Sequence, residues 1–304
     1  MSDRPFILET YRGYGARGRA VLRGRIYREP ARRSAYLRRL ARRGIGDIAV
    51  TGVFGGVEAQ ARTDRDGYFR LVWESLDDGL TGWQDVSLNA AGTSATGEVH
   101  LRGGASRFVV ISDIDDTVMV TGVANKAAMY WRLFLQSPDS RRVFPGVPDF
   151  YRALRDGAGG AEDNPVLFVS RGPWSIYDAL SRFFANRGVA ERPILLLREW
   201  GLTLQSPVPR RARVHKRELI DEILSVYGDA DCVLIGDNNQ RDPALYAGIA
   251  ASDPGRIRAV YIRDVAGTGK AEPLQGVPIV ISAETDDMLR HAADVGLIVE
   301  VTPR

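Results

Sequence analysis

The chain has little cysteine, little lysine and no long apolar run. A single cysteine, Cys232, excludes an internal disulfide framework and cysteine-based zinc clusters. No apolar stretch approaches the ~20 residues needed to span a bilayer as a helix. The first residues, Met1-Ser2-Asp3-Arg4, lack the apolar core of a secretory signal, so cytoplasmic residence is the expectation. Lysine is the third scarcity. Of 41 Lys plus Arg, three are lysines: Lys126, Lys216 and Lys270. A GC-rich coding bias explains such a skew without any function. At 304 residues, 44% hydrophobic and 26% charged, the chain has an ordinary globular composition and length for about two domains.

The basic charge is concentrated at the front. Residues 1–44 hold 13 arginines against Asp3, Glu9 and Glu29, a local charge of +10 in a chain of net +3. The remainder is therefore acidic.

Residues 19–28 alternate apolar and basic, as a half-buried strand does. Segments 46–54, 67–73, 84–90 and 96–102 continue the β pattern. Thr63-Asp64-Arg65-Asp66-Gly67 supplies a tight turn, and Tyr68-Phe69 anchors the returning strand. Residues 31–43 project as one amphipathic helix. Tyr36, Leu37, Leu40 and Ala41 form its apolar arc, and Arg32, Arg38, Arg39, Arg42 and Arg43 its basic one. That helix packs on the module, meets an anionic membrane surface, or less favourably binds nucleic acid. Residues 1–105 thus read as a small all-β, sandwich-like module.

From 106 onward the pattern is α/β. Apolar runs at 108–111, 166–169, 194–197, 233–235 and 259–262 suit strands buried on both faces. Helical patterns lie at 147–156, 174–187, 216–227 and 243–250. A strand at 279–282, a helix at 286–295 and a strand at 297–301 complete the reading. Such alternation implies a doubly wound parallel sheet, with the chemistry beyond the carboxyl ends of its strands.

Polar groups cluster at those ends. Asp113-Ile114-Asp115-Asp116-Thr117 follows the first run and Ser170-Arg171-Gly172 the second; Lys216 opens a helix, and Asp237 through Asp242 follows the fourth run. Several carboxylates at one strand end repel one another without a cation. Oxygen-rich sites of this kind suit Mg2+. Ser170 offers a hydroxyl and Lys216 a compact positive charge for phosphate oxygens. In this order at successive strand ends, the groups describe phosphoryl transfer.

These four elements resemble the haloacid dehalogenase superfamily. The stretches DIDDTVMVTGV, SRGPWSIYDAL, VHKRELI and GDNNQRDPALY, with the front YRGYGARGRAVLRGRIYR and TDRDGYFRL, are similar to the actin-patch-associated phosphatidate phosphatase family in its bacterial members. The resemblance covers residues 8–265 and implies a haloacid dehalogenase-like domain at 106–304 with a small cap. It implies that Asp113 is the nucleophile and that Asp115 is the acid and base. Thr117 holds the loop. Mg2+ sits on Asp113, the Asp115 main-chain carbonyl and Asp237. Asp242 ligates through water or orients Lys216. Ser170 and Lys216 neutralise the phosphoryl oxygens.

Neighbouring residues have plainer roles open to them. Asp116 caps the turn; Asn238, Asn239 and Gln240 shape another. Arg171, with Gly172 beside it, grips substrate phosphate or is a bystander. Trp174 packs a helix or meets an acyl chain. His215 and Cys232 read as structural. The apolar stretch from Met129 to Leu135 is a packed helix or a lip facing lipid. The expected function is Mg2+-dependent hydrolysis of phosphatidate or a related lipid phosphate, peripheral contact with membrane being one possibility. A nucleic-acid end phosphatase and a catalytically vestigial binding module stand as alternatives.

Overall fold

The computed structural model describes residues 6–28, 42–119, 142–198, 215–239, 242–253, 255–267, 269 and 276–299. Most of the basic helix, the apolar stretch from Met129 to Leu135, Lys126, Lys270, Gln240 and the His215 side chain lie outside the described residues.

Among the described residues the front region builds nine strands: β1 Ile7–Thr10, β2 Gly13–Ala16, β3 Arg19–Arg28, β4 Arg43–Gly44, β5 Ala49–Phe54, β6 Val57–Arg62, β7 Tyr68–Trp73, β8 Gly82–Ala90 and β9 Thr93–Leu101. They form one hydrogen-bonded sheet in the order β1-β3-β2-β9-β8-β5-β6, with β4 and β7 also on β3. The module expected from the sequence is sandwich-like; its ladder is continuous and folds back on itself. Gly52 shows where. A Cβ there would lie 2.5 Å from Trp73 Cζ2 and 2.8 Å from Leu71 Cδ1, so β5 presses against the face of β7 without pairing to it. Leu22, Phe69, Leu71, Trp73, Val86 and Val99 fill the enclosed core. The Asp64 carboxylate accepts the N–H groups of Asp66 and Tyr68, which closes the expected turn.

At Arg43, a described residue within the helix expected over 31–43, the chain is extended. Arg43 and Gly44 pair with Arg28 and Tyr27 as β4. The Arg42 guanidinium lies 3.0 Å from Glu9 and over the Tyr27 ring. Ladder bonds to β3 outweigh the helical period at this end.

The second region alternates as predicted: β10 Phe108–Asp113, α1 Val147–Asp156, β11 Val166–Pro173, α2 Tyr177–Asn186, β12 Ile194–Arg198, α3 His215–Val226, β13 Asp231–Asp237, α4 Asp242–Ser252, β14 Ile257–Arg263, β15 Ile279–Ser282 and α5 Thr285–Asp294. The single turn Trp174–Ile176 precedes α2 as a 3-10 helix. Every pairing in the six-stranded sheet is parallel, in the order β12-β11-β10-β13-β14-β15.

Alternate side chains of β10 face opposite ways. Phe108 and Val110 join Phe150 of α1, Leu180 of α2 and Met288 of α5. Val109 and Ile111 join Ile220 of α3 and Ile249 of α4. Both faces are therefore covered, which explains the unbroken apolar runs. The chain leaves β10 toward β11 and β12, then returns to its other side at β13. The carboxyl ends of β10 and β13 flank that reversal, where open α/β sheets bind ligands.

The strand expected at 297–301 does not form over its described residues. Leu297 and Ile298 are buried, and both N–H groups return to the Ala292 carbonyl, so this segment wraps the end of α5. Apolar character there reflects burial under a helix, not an extended strand.

Candidate active site

Four acids and one lysine converge at the switch point. Asp113 ends β10, Asp237 ends β13, Asp242 opens α4 and Lys216 lies in the first turn of α3. Lys216 Nζ lies 2.8 Å from Asp113 Oδ1 and 2.6 Å from Asp242 Oδ1. All three side chains are buried. Asp113, Asp237 and Asp242 each bring a carboxylate oxygen within 4.8 Å of the others. Asp115 is also buried, and its Oδ2 accepts the Ser170 hydroxyl at 3.2 Å. Ser170 Oγ in turn accepts the Gly172 N–H at 3.0 Å, which orients the hydroxyl. Asp113, Asp115, Ser170, Lys216, Asp237 and Asp242 are thus brought together from three strands and the first turns of two helices.

The loop after β10 is held from several sides. Asp116 adopts φ 61°, a left-handed conformation that Asp tolerates better than most residues. Its carboxylate accepts the Asn239 side-chain amide at 3.3 Å, and Asn239 N–H donates to Asp237 at 2.7 Å. These two therefore act as turn residues that tie the Asp113 loop to the Asp237 loop. Thr117 Oγ1 lies at a long 3.5 Å from Asp113. Asn238 braces the next loop through Asp264 at 2.6 Å. Arg171 is half-buried, and no ion pair to it occurs among the described residues. Trp174 is buried and stacks on Tyr11 with ring centroids 4.2 Å apart, so it packs rather than lines an acyl path. Cys232 is core, and burial pushes its thiol up to about 12.

Burial first, then the nearby Asp242, Asp115 and Asp237, pushes the Asp113 carboxyl well above the usual range, against the pull of Lys216. Lys216 is shifted up: burial opposes its charge, yet Asp113 and Asp242 outweigh burial. Among the described residues, one buried ammonium faces four carboxylates drawn close together, and such like charges repel. Asp242 Oδ2 is moreover buried without a hydrogen-bond partner. Hard oxygen donors within reach of one another and an orphaned carboxylate oxygen fit a divalent cation such as Mg2+. Asp113, Asp237 and Asp242 are the residues positioned to hold it.

Two positioning residues escaped the sequence reading. Arg263, at the end of β14, donates to the Thr117 carbonyl at 3.0 Å, the Ala283 carbonyl at 2.8 Å and Thr285 Oγ1 at 2.9 Å. A charged residue closing a buried strand was the available signal. Gly236 was invisible for another reason: its role is the space it leaves beside Asp242.

The family described as phosphatidate phosphatase APP1, catalytic domain, matches residues 108–264, about half of the chain. The chain belongs to this family. The matched segment holds Asp113, Asp115, Ser170, Lys216, Asp237 and Asp242, and none of β1–β9. An uncharacterized protein of Schizosaccharomyces pombe is 35% identical over 156 residues, which is 51% of this chain and 25% of that one. The phosphatidate phosphatase APP1 of Saccharomyces cerevisiae is 30% identical over 155 residues, again 51% and 25%. The match thus spans about a quarter of the length of these curated relatives. Among the described residues, no helix is long and apolar enough to cross a membrane.

Proposed function

We propose that this protein is a Mg2+-dependent phosphomonoester hydrolase acting on phosphatidate or a related lipid phosphate. The observation that carries the chemistry is the buried Lys216 ammonium held between Asp113 and Asp242 beside Asp237. Family membership and the yeast relative's printed activity support the lipid substrate. We also read residues 106–304 as a haloacid dehalogenase-like domain behind a separate β-module, 1–105. The sheet order and the change of sheet between Leu101 and Phe108 support that division.

In this reading Asp113 attacks phosphorus, the ester P–O bond breaks, and an aspartyl-phosphate forms. Asp115 gives its proton to the leaving alkoxide, then takes one from the water that hydrolyses the acyl phosphate. Ser170 and Lys216 offset the charge on the transferring phosphoryl oxygens. Bound Mg2+ would neutralise carboxylate and phosphate charge together. Asp242 holds Lys216 in place.

The test is phosphate release from phosphatidate in mixed micelles, beside a nucleotide, a 5′-phosphorylated oligonucleotide and a small ester. Expected is Mg2+-dependent release, fastest on phosphatidate and abolished by Asp113→Asn. Preference for the oligonucleotide would move the substrate to nucleic-acid ends. Equal and negligible release by both proteins on every substrate would overturn the enzyme reading.

A further inference from the structure

The front module does not merely adjoin the site-bearing domain; it enters both of its cores. Tyr11 and Tyr68 belong to the cluster that holds α1, α2 and α5. Tyr14 and Val21 belong to the cluster that holds α3 and α4. The two clusters lie on opposite faces of the parallel sheet, so one module grips both helical layers.

Its grips fall beside the two groups assigned to phosphate. Ser170 is followed four residues later by Trp174, which stacks on Tyr11 at 4.2 Å with ring planes 10° apart. The Tyr177 hydroxyl, at the start of α2, accepts the Arg12 N–H at 3.0 Å. Lys216 is followed on the same helix by Glu222, which faces the module. Glu222 accepts the Tyr14 hydroxyl at 2.7 Å and the Arg23 guanidinium at 2.7 and 2.6 Å on its two oxygens. Arg70 adds a looser ion pair, its Nε 3.5 Å from Glu222 Oε2. Tyr14 is fully buried and Arg23 is 7% exposed, so neither contact is a loose surface pair. Beyond the helix, Tyr227 stacks on Tyr14 at 5.9 Å.

Glu222 and Lys216 lie six residues apart on one rigid helix, about 9 Å along its axis. A hold on Glu222 therefore limits the sliding and rotation of Lys216. That matters because Lys216 must meet charge that develops in the transition state, where ~1 Å of misplacement costs about a hundredfold in rate. We propose that the front module is a positioning part of the active site, with Glu222 the residue through which it sets Lys216. The inference rests on the phosphatase reading above. It gives the module a role in catalysis, whereas the family match begins only at residue 108.

The experiment uses the full chain, Mg2+ and 4-nitrophenyl phosphate, with Glu222→Ala, Tyr14→Phe, Lys216→Ala and the Glu222→Ala/Lys216→Ala pair. Melting curves accompany each. Expected for Glu222→Ala is a kcat roughly ten- to a hundredfold lower with KM within about twofold, because a transition-state group is displaced. Tyr14→Phe removes one oxygen and should lower kcat several-fold while keeping the fold. In single-turnover reactions the double variant should be no slower than Lys216→Ala, since Glu222 has then nothing left to position. Unchanged kcat in both Glu222→Ala and Tyr14→Phe would overturn the inference. So would multiplicative losses in the double variant, the sign of a purely structural contact. If Glu222→Ala does not fold, Tyr14→Phe alone, and paired with Lys216→Ala, decides by the same criteria. If the wild-type protein cleaves phosphatidate in micelles and not this ester, the same variants are compared on phosphatidate; a wild-type protein inactive on both would instead be a failure of the phosphatase reading.

Discussion

Gly236→Ala isolates what one missing methyl does for the site. Gly236 lies in β13, one residue before Asp237. A Cβ there would stand 2.7 Å from Asp242 Oδ2, 2.8 Å from Tyr246 Cε2 and 2.9 Å from Asp242 Cβ. Ordinary contact begins near 3.4 Å, so three atoms of two neighbours, Asp242 and Tyr246, must each yield by about half an ångström or more. Tyr246 cannot yield easily, because it is fully buried and its hydroxyl donates to the Ile235 carbonyl at 2.8 Å. Asp242 must therefore move, and with it the 2.6 Å contact to Lys216. Overpacking of this kind costs about 1–3 kcal/mol. For a chain of this size that is a melting decrease of a few degrees, roughly 2–4 °C per kcal/mol. Displacement of Lys216 should lower kcat by about ten- to a hundredfold. The control is Gly248→Ala in α4, where the new Cβ meets only the tip of Arg217 at 3.6 Å. That change should be neutral or stabilise by about 0.5–1 kcal/mol. Melting temperature, kcat and KM of both variants decide the matter. A Gly236→Ala protein with wild-type kcat and melting temperature would refute the reasoning.

Other outcomes follow from the same contacts. Arg263→Lys leaves at most one of three donors in place and should cost about 1–3 kcal/mol, read by urea unfolding, together with reduced kcat as the Thr117 loop loosens. The Glu222 carboxyl is held below its usual range, because Arg23, the Tyr14 hydroxyl and Arg70 outweigh the opposing effect of burial. A lowered acid stabilises above its unfolded pKa of about 4.3 and loses that contribution as pH falls through its folded value. The stability gap between wild type and Glu222→Gln should therefore be constant above about pH 5 and shrink toward pH 3; a gap that widens on acidification counts against the ion pair. Cys232 is buried with its thiol pushed up to about 12, so it should resist alkylation in the native protein and label fully in denaturant. Rapid native labelling, followed by mass spectrometry, would contradict its place in the core.

Much of this was legible in the chain. The strands at 19–28 and 279–282 and the helix at 147–156 stand where periodicity put them. The polar groups at the strand ends converge as a parallel sheet requires. The failures have particular causes. β1 and β2 are four residues long with weak alternation, and neighbouring strands select them; β6 alternates, but with one valine and two alanines on its apolar side it carries little β-forming bulk. Arg43 left its helical pattern for a place on β3. Leu297 and Ile298 looked like a strand because burial under α5 demands the same residue types.

The scarce lysine and the lone cysteine mark the two kinds of information. By itself, the amino-acid order determined which chemistry the chain could hold: carboxylates, a hydroxyl and one ammonium at the ends of apolar runs, since period and polarity are local properties. It also excluded a disulfide frame. Only the tertiary structure decided that Lys216 sits between Asp113 and Asp242, that Gly236 leaves room for Asp242, and that Glu222 ties the lysine helix to a module two hundred residues earlier. Those contacts join segments far apart in the chain, and their distances follow from packing, which no local pattern records.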